Sequence, residues 1–246
     1  MTGQLVYNAV LNALRVDKRG NALTVDEFNI LSPIVNDRVL AHYAKDFEKD
    51  ISNTDDLGFL KQLKQTLALT VGIASLPSDY YRIIGEPYYT DGGGVRRNID
   101  VVTSAESSAR EGDYLTQSTV SYPTCVIGDQ SDDAYKYLQI RVYPTSITSI
   151  FIDYLREPDT PFLDYYVTNA SGTYTFLDVG DTPTVTSAQT YRDGTTGAQT
   201  SISVDWEWSS SDLPLIKAFF LSELGVIIPD TLLIEAGLKD KMEISQ

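Results

Sequence analysis

The sequence has almost none of the side chains that usually build metal and thiol sites. Its 246 residues include one cysteine, Cys125, and one histidine, His42. One residue of each kind cannot complete a tetrahedral zinc site, and a single cysteine cannot form an intramolecular disulfide. We therefore expect no metal-binding residues, and we expect synthesis in a reducing compartment.

Long apolar runs are also missing. No stretch of 18 consecutive apolar residues occurs, so we expect no transmembrane helix and no membrane partner. The segment Met1-Thr2-Gly3-Gln4 lacks a basic stretch followed by an apolar one. We therefore expect no secretory signal.

The motifs of common enzymes are absent as well. A catalytic triad would have to use His42, yet no Gly-x-Ser-x-Gly element presents a serine. Gly92-Gly93-Gly94 is not followed by Gly-Lys-Ser/Thr and lacks the strand–turn–helix context of a dinucleotide site. The acidic pairs Asp55-Asp56 and Asp132-Asp133 do not fit a calcium loop. Paired carboxylates for glycoside hydrolysis stay open, because their separation is set in three dimensions. We expect no catalytic and no cofactor-binding residues, and we interpret the chain as a non-enzyme.

Basic residues are scarce relative to acidic ones. The formal net charge is −15, of which residues 1–100 carry −2 and residues 101–246 carry −13. A surface of this charge repels a phosphate backbone, so tight nucleic-acid binding is not expected. Two interpretations stay open: the charge serves solubility, or it belongs to a surface that faces DNA without adhering to it. The 16 tyrosines suit half-buried strand faces and protein interfaces.

Helical periodicity marks the first part of the chain. Apolar residues at helical spacing predict a helix over about residues 4–15. Thr24-Val25-Asp26-Glu27 has the form of a capping box and predicts a second helix running toward Phe47. Pro33 either kinks this helix or opens another one. Thr54-Asp55-Asp56 predicts a further helix, with leucines at positions 57, 60 and 63 on one face.

Alternating side chains mark the middle of the chain as β structure. The predicted strands are residues 67–74, Tyr80–Gly85, Ile99–Val102, Tyr137–Tyr143, Ile147–Leu155, Tyr165–Thr168, Thr173–Leu177 and Ile202–Trp208. A second capping box at Thr103–Glu106 predicts a short helix that ends near Gly112. Asp212-Leu213-Pro214 opens a later helix with Gly225 at its end, and Pro229-Asp230 opens the last one.

Helices, then strands, then helices indicate an α+β fold. We expect N-terminal helices, a central antiparallel sheet or sandwich, and C-terminal helices that pack back on the helical part. Residues 1–158 and 201–246 are expected to form one core. Residues 159–200, rich in Thr, Ser, Gly and Asp, are expected to be a polar hairpin and loop insertion that neighbouring molecules order.

Two residue pairs allow more than one interpretation. Trp206 and Trp208 either form a sugar-binding platform or belong to the core, and the core is favoured because an apolar helix follows them. Arg96-Arg97 follows the glycine turn and would contact either nucleic acid or an acidic neighbouring subunit. The acidic subunit is favoured, because the chain's own second half is acidic.

Five short motifs follow one another through residues 20–230. They are Thr24–Asn29, Leu76–Tyr81, Tyr143-Pro144, Ile152–Pro158, and a tryptophan-containing segment that runs into a helix ending Leu224-Gly225-Val226. In this order and spacing they resemble the ring-shaped head-to-tail adaptor proteins of tailed bacteriophages, especially of crAss-like podoviruses. The outline is also similar to the tail tubular adaptor of short-tailed phages. Residues 159–200 match that pattern least.

The resemblance implies a virion structural protein without catalytic activity. In that family about a dozen copies form a closed ring, which requires two different contact faces on each subunit. The implied partners are the portal protein and other tail or ring proteins, and DNA passes through the channel without tight binding. The implied location is the portal-proximal connector of the virion tail, after assembly in the host cytoplasm. Two alternatives stay open: a carbohydrate-binding or depolymerising tail component, and a host-encoded soluble binding module.

Overall fold

The computed structural model describes residues 1–16, 23–45, 57–128 and 138–225. The helices are α1 (Gly3–Val16), α2 (Val25–Ala44), α3 (Ser104–Glu111) and α4 (Leu213–Glu223). The strands are β1 (Lys61–Ala68), β2 (Ile73–Ser75), β3 (Tyr80–Thr90), β4 (Arg96–Asn98), β5 (Asp100–Val101), β6 (Thr124–Gly128), β7 (Gln139–Tyr143), β8 (Ser149–Arg156), β9 (Asp164–Thr168), β10 (Thr173–Leu177), β11 (Thr184–Val185), β12 (Gln189–Tyr191) and β13 (Gly197–Ala198). The expected α+β class is confirmed.

The chain forms two compact units. Unit 1 comprises Met1–Phe47 and Pro158–Gln246, and unit 2 comprises Glu48–Glu157. Contacts group residues 159–200 with the helices of unit 1. The expectation that these residues are an insertion into a single core stays a prediction. Among the described residues, no helix combines the length and the apolar character needed to cross a membrane.

Helix α2 begins at the predicted capping box. The Thr24 hydroxyl accepts a hydrogen bond from the Glu27 backbone N–H at 3.2 Å, and the Glu27 carboxylate accepts one from the Thr24 N–H at 2.9 Å. Two N–H groups that have no partner within the helix are thereby satisfied. Pro33 lies inside the continuous helix Val25–Ala44, so no second helix opens there. Phe47, toward which the helix was expected to run, lies outside the described residues.

Aromatic rings hold the three helices of unit 1 together. Phe28 of α2 stacks on Phe220 of α4, with ring centroids 4.9 Å apart and planes 9° apart. Tyr7 of α1 and Trp206 add edge contacts at 5.4 Å and 5.9 Å. The expected return of the C-terminal helix onto the N-terminal helices is therefore confirmed.

Helix α4 begins differently from the prediction. Asp212 makes no side-chain capping bond to α4. Instead Ser209 caps a short 3-10 turn (Ser210–Asp212), and the Asp212 carboxylate accepts the Ser209 N–H at 2.9 Å. Gly225 ends the helix with φ 68°, as its position predicted. The helix expected from Pro229-Asp230 lies outside the described residues.

The rest of unit 1 is built from short strands. Strands β10, β9 and β12 form a three-stranded antiparallel sheet, and β11 pairs with β13. The predicted hairpin of Tyr165–Thr168 with Thr173–Leu177 is confirmed as β9 and β10. Their small core consists of Leu177, Val185 and Tyr191, with Tyr166 packed against it.

Unit 2 is a sandwich of two four-stranded sheets. One sheet has the strand order β1-β8-β3-β4 and is antiparallel, and the other has the order β2-β7-β6-β5, in which β5 runs parallel to β6. Both sheets contribute to one apolar core, in which Ile150 and Ile152 of β8 cluster with Ile140 and Val142 of β7. The period of two that predicted these strands is the alternation between this core and the outer faces.

The helix predicted to start at Thr54 is wrong over the described part of its course. Leu57 and Leu60 are fully buried around a 3-10 turn, but Leu63 is 68% exposed on strand β1. Strand β1 pairs with β8 from Lys61↔Leu155 onward, and this pairing overrides the local helical spacing. Residues 54–56 lie outside the described residues.

The single strand predicted over residues 67–74 is two strands. A tight turn at Val71 (φ 51°) and Gly72 (φ 76°) separates β1 from β2. A side chain at position 72 would place its Cβ 2.6 Å from the Val142 carbonyl oxygen, so only glycine fits. The period-2 pattern runs through the turn, which is why alternation alone did not reveal it.

The strand predicted over Ile202–Trp208 is also wrong. Val204 forms an isolated bridge with Phe162, and Trp206 exchanges backbone hydrogen bonds with Met1, but no continuous strand forms. The alternation instead reflects burial, because Trp206 and Trp208 are 1% and 2% exposed. The Trp208 indole N–H donates to the Asn36 side-chain oxygen at 2.7 Å, which ties this segment to α2.

Candidate interaction surface

Two of the motifs that carry the resemblance meet in unit 2. The Tyr154 hydroxyl donates to the Asp79 carboxylate at 3.0 Å, and the Glu157 N–H donates to the Asp79 carbonyl oxygen at 2.6 Å. Tyr80 pairs with Arg156 across β3 and β8. Leu76–Tyr81 and Ile152–Pro158 therefore form one joint, which closes the end of this strand pair.

The tyrosine of this joint is shielded from solvent. Tyr154 is 4% exposed, and burial, followed by the bond to the Asp79 carboxylate, raises the pKa of its phenol to about 12. The hydroxyl therefore stays protonated and keeps donating across the whole physiological pH range. The third motif, Tyr143-Pro144, has a cis peptide bond and ends β7 where the chain turns toward β8.

A row of four side chains crosses the outer face of the sheet β1-β8-β3-β4, and we call it the aromatic row. Its centre is Phe151 of β8 stacked on Tyr88 of β3, with ring centroids 5.1 Å apart. The Lys64 ammonium lies 5.8 Å from the Phe151 ring centroid, and the Arg96 guanidinium lies 3.8 Å from that of Tyr88. One cation thus caps each end of the aromatic pair, at about 0.5–1 kcal/mol for each exposed cation–π contact.

Irregular backbone positions the Lys64 end of the row. The pairing of β1 with β8 shifts between Gln62 and Gln65, and Lys64 has φ 56° at this bulge. The Lys64 N–H donates to the Asp153 carboxylate at 2.6 Å. The bulge re-aims the side chain along the sheet toward Phe151.

The glycine turn positions the Arg96 end. Asp91 accepts hydrogen bonds from the Gly93 and Val95 N–H groups at 3.0 and 2.9 Å, and its carboxylate pairs with Arg97 at 3.2 Å. The Val95 bond is the main cause that lowers the pKa of Asp91. Arg97 is thus occupied within its own hairpin. Arg96 lies over Tyr88, and its Nε–H donates to the Asn98 side-chain oxygen at 3.2 Å. Among the described residues, neither the Arg96 guanidinium nor the Lys64 ammonium forms an ion pair.

A second exposed surface is the irregular segment of residues 113–122 between α3 and β6. Its apolar side chains are unusually open: Tyr114 is 92%, Leu115 is 88% and Tyr122 is 80% exposed. Backbone turns nevertheless hold it, because the Gln117 N–H donates to the Asp113 carbonyl oxygen at 2.9 Å and the Tyr122 N–H donates to that of Thr119 at 3.1 Å. Exposed apolar patches of this kind commonly mark contacts with other proteins.

The lone histidine lies among aromatic rings and the lone cysteine lies in a core. The His42 ring contacts Tyr43 and Phe219 at centroid distances of 5.3 and 6.3 Å within unit 1. Cys125 lies fully buried in the core of unit 2, and burial, with the nearby Asp100 charge, raises the pKa of its thiol to about 12. A thiol with this pKa is a poor nucleophile. Within the described ranges, no group of three or more His, Cys, Asp or Glu is placed to hold a metal ion.

The tryptophan pair lies in the core. Both indole rings are buried, Trp208 against Tyr43 at 5.7 Å and Trp206 against Phe220. The core interpretation of Trp206 and Trp208 is therefore confirmed, and they offer no platform to a sugar. The acidic pairs Asp55-Asp56 and Asp132-Asp133 lie outside the described residues.

A buried carboxylate, which no local sequence pattern indicated, organises the strands that follow residue 158. Asp164 is 5% exposed and accepts hydrogen bonds from the Tyr165 N–H at 3.0 Å and the Ile202 N–H at 3.1 Å. Arg192 completes the arrangement at 2.9 Å. Because these partners come from three separate segments, only the folded chain brings them together.

A polar cleft between α3 and the β6–β7 strands has a volume of about 140 Å³. Its described lining includes Ser104, Ser107, Ser108 and Arg141. Ligand pockets usually enclose about 300–1,000 Å³, so this cleft is smaller than a typical ligand pocket.

No protein-family model matches the chain, and no curated protein matches it at a significant level.

Proposed function

We propose that the chain is the ring-shaped head-to-tail adaptor of a tailed bacteriophage and has no catalytic activity. The observation that carries the proposal is the joint of Asp79 with Tyr154 and Glu157. Leu76–Tyr81 and Ile152–Pro158, which lie far apart in the sequence and carry much of the resemblance, meet there as one structural feature. A chance succession of motifs would not be expected to meet in this way.

The exposed surfaces support assembly. A closed ring of identical subunits uses two different faces on each subunit. Unit 2 has two exposed surfaces of different chemistry, the aromatic row and the 113–122 segment. An aromatic face and an open apolar segment are both typical of protein interfaces.

The charge supports a DNA channel. A net charge of −15 leaves few phosphate contacts, so DNA would slide past such a ring and not bind to it. In this proposal about a dozen copies form the ring. It lies between the portal protein and other tail or ring proteins of the virion, after assembly in the host cytoplasm.

We do not propose the carbohydrate-binding or depolymerising alternative. It rested on Trp206, Trp208 and the acidic pairs. Both indole rings are buried, and Asp55-Asp56 and Asp132-Asp133 lie outside the described residues. One described cleft, of about 370 Å³, is lined by Asp26 and Asp193, but Asp26 accepts a hydrogen bond from the Tyr165 hydroxyl at 2.8 Å and Asp193 accepts one from the Thr195 hydroxyl at 2.6 Å.

The test is electron microscopy of the full chain mixed with the portal protein of the phage that encodes it. We expect rings with rotational symmetry, docked on the portal, and the same density in intact virions. A matched variant, Asp79→Ala, should assemble less well, while Ser78→Ala, at an exposed neighbouring position, should assemble normally. A chain that stays monomeric with the portal and is absent from virions would overturn the proposal.

A further inference from the structure

We propose that the 113–122 segment of one copy docks on the aromatic row of a second copy, and that this is the lateral contact between subunits. The inference rests on the proposed ring function and names the partner surfaces within it. Both surfaces belong to unit 2.

The two surfaces lie on opposite sides of one sheet. Tyr88 belongs to the aromatic row on the outer face, while its neighbour Tyr89 points into the core and is 6% exposed. The Tyr89 hydroxyl donates to the Val120 carbonyl oxygen, which places the 113–122 segment on the inner side. A surface on one side cannot fold back onto the other within the same unit, so a contact between them requires a second copy.

The charges of the two surfaces are complementary. The aromatic row ends in the Lys64 ammonium and the Arg96 guanidinium, neither of which forms an ion pair among the described residues. Beside the 113–122 segment, Arg110 is already paired with Glu106 at 2.7 Å and with Asp100 at 3.6 Å. Glu111 and Asp113 are therefore left as the net negative charge next to Tyr114 and Leu115. Acids that flank apolar side chains thus face cations that flank aromatic rings.

The apolar side chains of the two surfaces are also suited to contact each other. Phe151 and Tyr88 are half-buried, so their ring edges are open to a partner. Tyr114 and Leu115 are 92% and 88% exposed, and each would bury its side chain on docking. Glu86 and Asp153 lie on or beside the row and reduce its net positive charge, so the charge complementarity is confined to the cationic side chains at its two ends.

Such a contact is head-to-tail. Each copy offers a segment to one neighbour and a row to the other, so repeated contacts build a ring and not a closed pair. This geometry makes a sharp prediction for mixtures of variants that each lack one surface.

The experiment uses the full chain and two double variants. The first carries Tyr114→Ser and Leu115→Ser and loses the segment, and the second carries Lys64→Glu and Arg96→Glu and loses the row. All four side chains are exposed, so the fold should tolerate both variants. Ile30→Ser, at a 69% exposed position of unit 1, and Lys45→Glu, at another exposed position, serve as matched controls.

Sedimentation measures the result, with and without the portal protein. We expect the wild type and both controls to form large assemblies, and each double variant to self-associate about tenfold or more weakly. An equal mixture of the two double variants should form a one-to-one dimer and nothing larger, because each pair retains a single intact contact. High salt should weaken this dimer, since exposed charges take part.

Three results would overturn the inference: a mixture that stays monomeric, a double variant that still assembles, or a wild type that is monomeric under all conditions. Assembly by both double variants would leave the ring proposal standing and place its contacts elsewhere. Absence of the chain from virions would instead remove the ring proposal, whatever the mixture does.

Discussion

The bond between Tyr154 and Asp79 predicts how firmly unit 2 is closed. Tyr154→Phe removes the hydroxyl and leaves the Asp79 carboxylate without this donor. A hydrogen bond to a charged group contributes about 1.5–3 kcal/mol. Because Asp79 is partly exposed, we expect the low end, a loss of about 1.5 kcal/mol, which is about tenfold in the equilibrium for opening the unit.

The single cysteine provides the assay. Cys125 is the only thiol of the chain and lies fully buried in the core of unit 2, so a thiol reagent reaches it only when that core opens. When closing is fast relative to labelling, the labelling rate follows the population of the open form. Tyr154→Phe should therefore speed Cys125 labelling about tenfold.

Matched variants separate the bond from general damage. Asp79→Ala leaves a buried hydroxyl without its acceptor and should cost about 1–3 kcal/mol. The double variant should cost less than the sum of the two, because each change removes the same interaction. Tyr165→Phe breaks a similar bond to Asp26, 2.8 Å long, in unit 1 and should change Cys125 labelling far less. Additive effects of the two changes, or Tyr154→Phe labelling within about twofold of wild type, would refute the reasoning.

Three further predictions concern pH and unit 1. The pKa of Tyr154 rises from 10.0 to about 12 on folding, so its stabilising effect is complete below pH 10, where the phenol is protonated in both states. That stabilising effect is lost as the pH rises from 10 toward 12. Over this pH range, the rate of Cys125 labelling should increase less in Tyr154→Phe than in the wild type. Phe220→Ala removes a fully buried ring stacked on Phe28 and should destabilise unit 1 by about 3–5 kcal/mol. Urea unfolding followed by tryptophan fluorescence measures it, since both tryptophans lie in unit 1; an unchanged midpoint would contradict the packing. Asp164→Asn keeps the shape of the side chain but weakens its bonds to Arg192 and two N–H groups, and should cost about 1–2 kcal/mol by the same measurement. A loss below about 0.5 kcal/mol would show that the charge of Asp164 does not hold these segments.

Elements with local signals could be predicted from the amino-acid sequence alone. The capping box at Thr24, the short helix after Thr103 and the hairpin around residues 169–172 all appear where they were predicted. In each case the deciding contacts lie within a few residues of one another, so a short window contains the needed information. The α+β class followed from the order of such elements.

Elements that depend on distant partners could not be predicted from local sequence. Leu57, Leu60 and Leu63 have helical spacing, but pairing with β8, about ninety residues later, makes a strand from Lys61 onward. The tryptophans alternate like a strand, but their burial against the helices of unit 1 produces that pattern.

The aromatic row and the joint at Asp79 also depend on partners that are distant in the sequence. The aromatic row takes one side chain from each of four strands, and the joint at Asp79 connects residues 75 and 78 positions apart. The sequence singled out Arg96 and the Asp79 motif individually, but it could not show which side chains share a face. Register, bulges and sheet order set that arrangement, and these are properties of paired strands, which no single segment contains.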